Sequence, residues 1–66
     1  MITITVNNET LEVEEQTTIE RLLENRGFPD KGIAVALDWM VLPRSEWHRT
    51  LSDGSRVEVV TAVQGG

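Results

Sequence analysis

Arg56-Val57-Glu58-Val59-Val60-Thr61 runs straight into Ala62-Val63-Gln64-Gly65-Gly66, where the sequence ends. Valines at alternate positions predict a strand with one apolar face, because successive side chains of a strand point to opposite sides. The two glycines have no side chain and wide backbone freedom, so they fold poorly and thread easily through a narrow channel. This reading makes residues 62–66 a flexible tail. It also makes the terminal carboxylate of Gly66, rather than a side chain, the candidate reactive group.

Working back from that strand, Ile2, Ile4 and Val6 alternate with Thr3 and Thr5, a second β-branched stretch of period two. Asn7-Asn8-Glu9 reads as a turn, and Leu11 and Val13 then alternate with Thr10, Glu12 and Glu14. The pair predicts an N-terminal hairpin. Thr17-Thr18-Ile19-Glu20 carries a capping-box pattern in which Thr17 and Glu20 serve each other's amides. Ile19, Leu22 and Leu23 recur at helical spacing, so a short helix is expected from residue 18 to about residue 26, stopped by Gly27. Phe28 is expected to fold back under it.

Ile33-Ala34-Val35-Ala36-Leu37 predicts a third strand, with bulky and small residues on opposite faces. Asp38-Trp39 turn the chain into Met40-Val41-Leu42, which Pro43 ends by removing an amide donor. Residues 44–50 read as an irregular or single-turn helical crossing, and Ser52-Asp53-Gly54-Ser55 as a turn. The expected fold is α+β: a mixed sheet of four to five strands with one main helix on one face. Placing the last strand parallel to the first gives a β-grasp sheet over residues 1–61.

The 66 residues carry six basic and eleven acidic side chains, a formal net charge of −5. A domain this small buries only about 60% of its unfolded surface, which leaves little core to hollow into a substrate cavity. A carrier or adaptor is favoured over a self-contained enzyme. The acidic balance, with no Lys/Arg cluster, argues against nucleic acid as a partner and for a protein with a basic docking surface. The absence of cysteine excludes disulfides, thiolate metal sites and a cysteine nucleophile. Met1–Val6 has no signal-peptide character, and no apolar run approaches the ~20 residues that span a bilayer. A cytoplasmic protein with no membrane partner is expected.

The alternation also defines a candidate surface. If Val35, Leu37, Val57 and Val59 face the helix, then Ala34, Ala36, Val41 and Val60 face away. Exposed apolar patches of this kind mark docking sites, unless residues 43–50 shield them. Glu58 lies on the same side, as a candidate for electrostatic guidance or as an ordinary solvated charge.

Other residues carry no evident chemistry. His48 lies near Ser45 and Glu46, but neither a nucleophile elbow nor an oxyanion-hole motif accompanies them, so a surface histidine is expected. Glu14 and Glu15 are neighbours on a strand end and point to opposite faces, which disfavours a shared metal. Trp47 is expected to anchor the crossing and Trp39 to be exposed at its turn. The roles of Trp39, Arg44 and His48 are left open.

Taken together, Ile33–Leu37, Val41-Leu42-Pro43-Arg44-Ser45-Glu46-Trp47, Thr50-Leu51, Asp53-Gly54 and Val57 through Gly66 resemble the ThiS/MoaD family of ubiquitin-like β-grasp sulfur carriers. Within it they resemble the ThiS branch of thiamine biosynthesis. The resemblance spans essentially the whole chain. The Pro-Arg-Ser-Glu-Trp segment and the Ala-Val-Gln-Gly-Gly end are specific in combination. Trp39 departs from the small or polar residues usual at that tip, and Ser55 from the usual acidic residue.

The resemblance implies that Gly66 is adenylated by a ThiF-type enzyme using ATP, converted to a thiocarboxylate, and used as sulfur donor by thiazole synthase (ThiG). A cysteine desulfurase is the usual sulfur source. The carrier would then be a stoichiometric substrate, not a catalyst, with no cofactor of its own. Ala62, Val63, Gln64 and Gly65 would form the stem that partners grip. Three alternatives stand beside this: MoaD-like delivery to molybdopterin or another pathway, a protein modifier joined to lysines through Gly66, and an interaction domain with an inert tail.

Overall fold

The computed structural model describes residues 1–29 and 31–61. Among these, five strands form one sheet: β1 (Ile2–Val6), β2 (Glu9–Val13), β3 (Ile33–Leu37), β4 (Met40–Leu42) and β5 (Arg56–Thr61). One α-helix, α1 (Ile19–Asn25), and one 3₁₀ turn, Arg44–Glu46, complete the secondary structure of these residues. The sheet order is β2-β1-β5-β3-β4. β5 is parallel to β1, through Thr5↔Arg56 and Val6↔Val57, and antiparallel to β3. This is the mixed β-grasp sheet expected from the sequence, with the C-terminal strand at its centre.

Both hairpins close through two-residue turns whose central residues all have positive φ: Asn7 (49°) and Asn8 (70°), then Asp38 (50°) and Trp39 (73°). That backbone twist matches the twist of the strands, and Asn and Asp tolerate it well. A tryptophan in the left-handed region is unusual. Here the guanidinium of Arg56 lies 4.6 Å from the Trp39 ring centroid, a cation–π contact that favours the arrangement.

The helix begins one residue later than the capping-box reading expects. Thr18 is the N-cap, with its hydroxyl accepting from the Arg21 amide at 3.1 Å. The two amides before Arg21 are taken from across the fold: Ile19 donates to the Arg49 carbonyl and Glu20 to the Trp47 carbonyl. Thr17 is held elsewhere, its amide on the Glu14 carbonyl and its carbonyl accepting from Leu51. The crossing at 47–51 therefore selects which threonine caps. At the other end Gly27 (φ 80°) donates to the Glu24 carbonyl and Phe28 to the Leu23 carbonyl. These two bonds form a Schellman stop, and they fold Phe28 back against the core as expected.

The core lies between the sheet and α1. Ile4, Ile19, Leu22, Val35 and Val57 are essentially inaccessible, with Ile2, Val6, Leu23, Leu42, Trp47, Leu51 and Val59 packed around them. Trp47 is the expected anchor: it is buried and donates its indole Nε1–H to the Leu42 carbonyl at 3.2 Å. Ser55 is buried too, and its hydroxyl accepts from the Ser52 amide at 3.0 Å. No helix of the described residues is long and apolar enough to cross a membrane.

Candidate docking face and tail stem

The face of the sheet away from α1 follows from strand register. β3 and β5 pair Ala34 with Val60 and Ala36 with Glu58, while β3 and β4 pair Ala36 with Val41. Ala34, Ala36, Val41, Glu58 and Val60 thus occupy one surface, and their sequence neighbours Val35, Leu42, Val57 and Val59 fill the core. Val41 is 79% exposed and Val60 62% exposed. Ala34 is also exposed, and Ala36 and Glu58 are half-buried. Residues 43–50 do not shield these positions. The 3₁₀ crossing serves the helix side, where Trp47 enters the core.

One further exposed apolar side chain borders this surface at the β3–β4 hairpin, Trp39, which is 73% exposed; Met40, equally exposed, pairs with Leu37 and lies on the helix side. The sequence signal for Trp39 is an aromatic at a hairpin tip. What alternation alone does not show is how Arg56 connects Trp39 to the face. Arg56 lies under the Trp39 ring, donates to Asn8 Oδ1 at 2.7 Å, and has its Nε 3.8 Å from Glu58 Oε2. That last contact is an ion pair beyond hydrogen-bond length, and neither atom has a hydrogen-bond partner. Glu58 therefore sits on the candidate face with its charge partly offset by a neighbour, not as a free acid.

The strand that leads to the tail is held on both sides. β3 pairs with β5 as far as Ile33↔Thr61. On the other side β1 ends at Val6, but the Asn7 amide donates to the Val57 carbonyl at 2.9 Å. The Asn7 side chain then extends the ladder by one more residue. Its Oδ1 accepts from the Val59 amide at 2.8 Å, and its Nδ2 donates to the Val59 carbonyl at 3.2 Å. Ala62, Val63, Gln64, Gly65 and Gly66 lie outside the described residues.

His48, Glu14 and Glu15 lie at the surface, as the sequence reading expects. His48 is exposed, with Nδ1 3.0 Å from the Ser45 carbonyl. Glu14 and Glu15 are exposed just beyond β2. Arg44 has its guanidinium 5.2 Å from the Trp47 ring centroid. Among the described residues no group of three His, Asp or Glu side chains is placed to hold a metal ion.

With this geometry in view, comparison with known proteins is informative. The profile of the ThiS family matches residues 2–66. Two curated relatives are the uncharacterized proteins ycf40 of Pyropia yezoensis and Porphyra purpurea. They are 33% and 32% identical over 66 residues, covering 98% of this chain and 93% of each relative. The crystal structure of the thiamine biosynthesis protein ThiS from Geobacter metallireducens superposes with a TM-score of 0.81 at 28% identity, covering 98% of this chain and all of that one. The solution structure of a thiamine biosynthesis protein from the same organism gives 0.76 at 28% identity, over 98% and 88% of the two chains.

Proposed function

The chain belongs to the ThiS family, whose role is that of a small sulfur carrier, and we propose that it carries sulfur on the terminal carboxylate of Gly66 for building the thiazole of thiamine. A carboxylate is a poor acyl donor, because its charge is delocalised and oxide is a bad leaving group. Attack of the Gly66 carboxylate on the α-phosphorus of ATP, with release of pyrophosphate, replaces oxide by AMP as the leaving group. The terminal sulfur of a persulfide then displaces AMP to give an acyl disulfide, and a thiol reductant opens its S–S bond, leaving a thiocarboxylate on Gly66 and carrying away the other sulfur as a disulfide. A ThiF-type adenylating enzyme supplies the first step, a cysteine desulfurase the sulfur, and thiazole synthase accepts it.

The observation that carries this reading is the family match over residues 2–66, which takes in Gly65 and Gly66. Two structural features support it. β5 leads to the tail from the centre of the sheet, and the apolar face beside it has exposed Val41 and Val60. A partner docked on that face would receive the tail at a fixed distance from its own surface. Ala62, Val63 and Gln64 serve as the stem and the two glycines as the part that enters the active site. The chain itself binds no cofactor in this scheme; ATP belongs to the adenylating partner.

Deletion of the gene tests the pathway. The strain is expected to require thiamine or its thiazole precursor, and to be rescued by the wild-type gene but not by one lacking Gly65 and Gly66. Growth of the deletion strain without supplement would overturn the thiazole assignment.

A further inference from the structure

We propose that Asn7 is a positioning residue that pins the β1 side of β5, the strand that precedes the tail, for presentation to the adenylating partner; this rests on the carrier reading above. β1 contributes only Thr5↔Arg56 and Val6↔Val57 to its pairing with β5, so the β1 side of β5 would be bare from Val59 onward. The Asn7 side chain fills that gap. Its amide presents one acceptor and one donor in the same plane, as a strand residue would, and engages both the Val59 N–H and the Val59 C=O. Val59 lies 52 residues away in sequence and three residues before Ala62, the first residue of the tail stem.

The turn conformation makes the role separable from folding. Asn7 has φ 49°, which glycine adopts without strain. Asn7→Gly therefore keeps the turn and removes only the side-chain bonds. β3 still pairs with β5 along Ile33–Leu37, so the apolar face that includes Ala34 and Val60 keeps its register. What loosens is the β1 side of the strand that precedes the tail. Asn8→Gly is the matched control: it has the same kind of backbone (φ 70°) and loses only the bond from Arg56.

The experiment combines amide hydrogen exchange on the free protein with steady-state adenylation kinetics. In Asn7→Gly the Val59 amide is expected to exchange at least ~10-fold faster than in wild type, while Asn8→Gly leaves it unchanged. With the adenylating partner, kcat is expected to fall about fivefold with KM within about twofold, because docking persists while fewer bound tails are aligned. Asn7→Asp keeps the acceptor for the Val59 amide but sets a second carboxylate oxygen against the Val59 carbonyl, so its Val59 exchange and kcat are expected to depart from wild type in the same direction as in Asn7→Gly. It also serves as the readout if the glycine variant fails to fold. Unchanged Val59 exchange, or faster exchange with unchanged kcat, overturns the positioning role. Wild-type protein that is never adenylated overturns the carrier reading and the positioning role with it, a result distinct from either of those.

Discussion

Val60 stands directly opposite Ala34 across the β5–β3 ladder, and both are exposed, while the adjacent pair Val59 and Val35 is buried. One register therefore builds two surfaces, a core and a solvent-facing apolar patch. A slip of one residue would exchange them. The core side is covered by α1; the patch is left to solvent.

The first prediction contrasts neighbouring residues. Val60→Asp places a carboxylate on a site already in water, so the thermal midpoint should stay close to wild type. Affinity for the adenylating partner should fall at least about tenfold, equivalent to ~1.4 kcal/mol. Val59→Asp buries the same charge without a partner and should abolish folding. Calorimetric titration beside thermal melts checks both, and equal affinity for Val60→Asp removes that residue from the interface.

The helix cap gives a second test. Thr18→Ala removes the acceptor for the Arg21 amide and should cost about 1 kcal/mol. In a domain of this size that corresponds to a drop in melting temperature of roughly 4–8 °C. Thr17→Ala should cost less than half as much, because the Thr17 bonds across the fold are made by its backbone. A larger loss at Thr17 than at Thr18 would restore the capping box read from the sequence.

Trp47 allows packing and hydrogen bonding to be separated. Trp47→Phe keeps an aromatic ring in the core but leaves the Leu42 carbonyl without its indole donor, a loss of about 1–3 kcal/mol. Trp47→Ala also opens a cavity and should cost ~3–5 kcal/mol. Urea unfolding curves with unchanged slope would report both values; a phenylalanine variant as stable as wild type would show that the indole bond contributes nothing.

Gly65→Ala should fold like the wild type, since the buried core of the described residues, which runs from Ile2 to Val59, is left unchanged. Its adenylation should be slower, because a β-carbon widens the tail and narrows its φ/ψ choices inside a partner's channel. Pyrophosphate exchange measured with the adenylating enzyme decides this, and unchanged kinetics would mean that the channel does not read position 65.

Much of this architecture was legible because the alternation is strict. Ile2/Ile4/Val6, Val35/Leu37 and Val57/Val59 announce the buried face, and Ala34, Val41 and Val60 follow by parity. The Asn7-Asn8 and Asp38-Trp39 turns were legible too, although not their left-handed backbone. The features that local pattern could not supply all depend on partners distant in the chain. Thr18 caps because residues 47–51 occupy the neighbouring backbone, Arg56 meets Trp39 only once the strands are in register, and Asn7 reaches Val59 only across the parallel β1–β5 pair. The tail chemistry came from residue identity and family likeness, since no spacing rule encodes a reactive C-terminus.

The most direct test of the central claim is the intact mass of the untagged protein after incubation with its adenylating enzyme, ATP and a sulfur source. The carrier account requires a shift equal to replacing one oxygen by sulfur, mapped to Gly66 by fragmentation. An unshifted mass in the presence of active partners, or a sulfur mapped to any other residue, would contradict it.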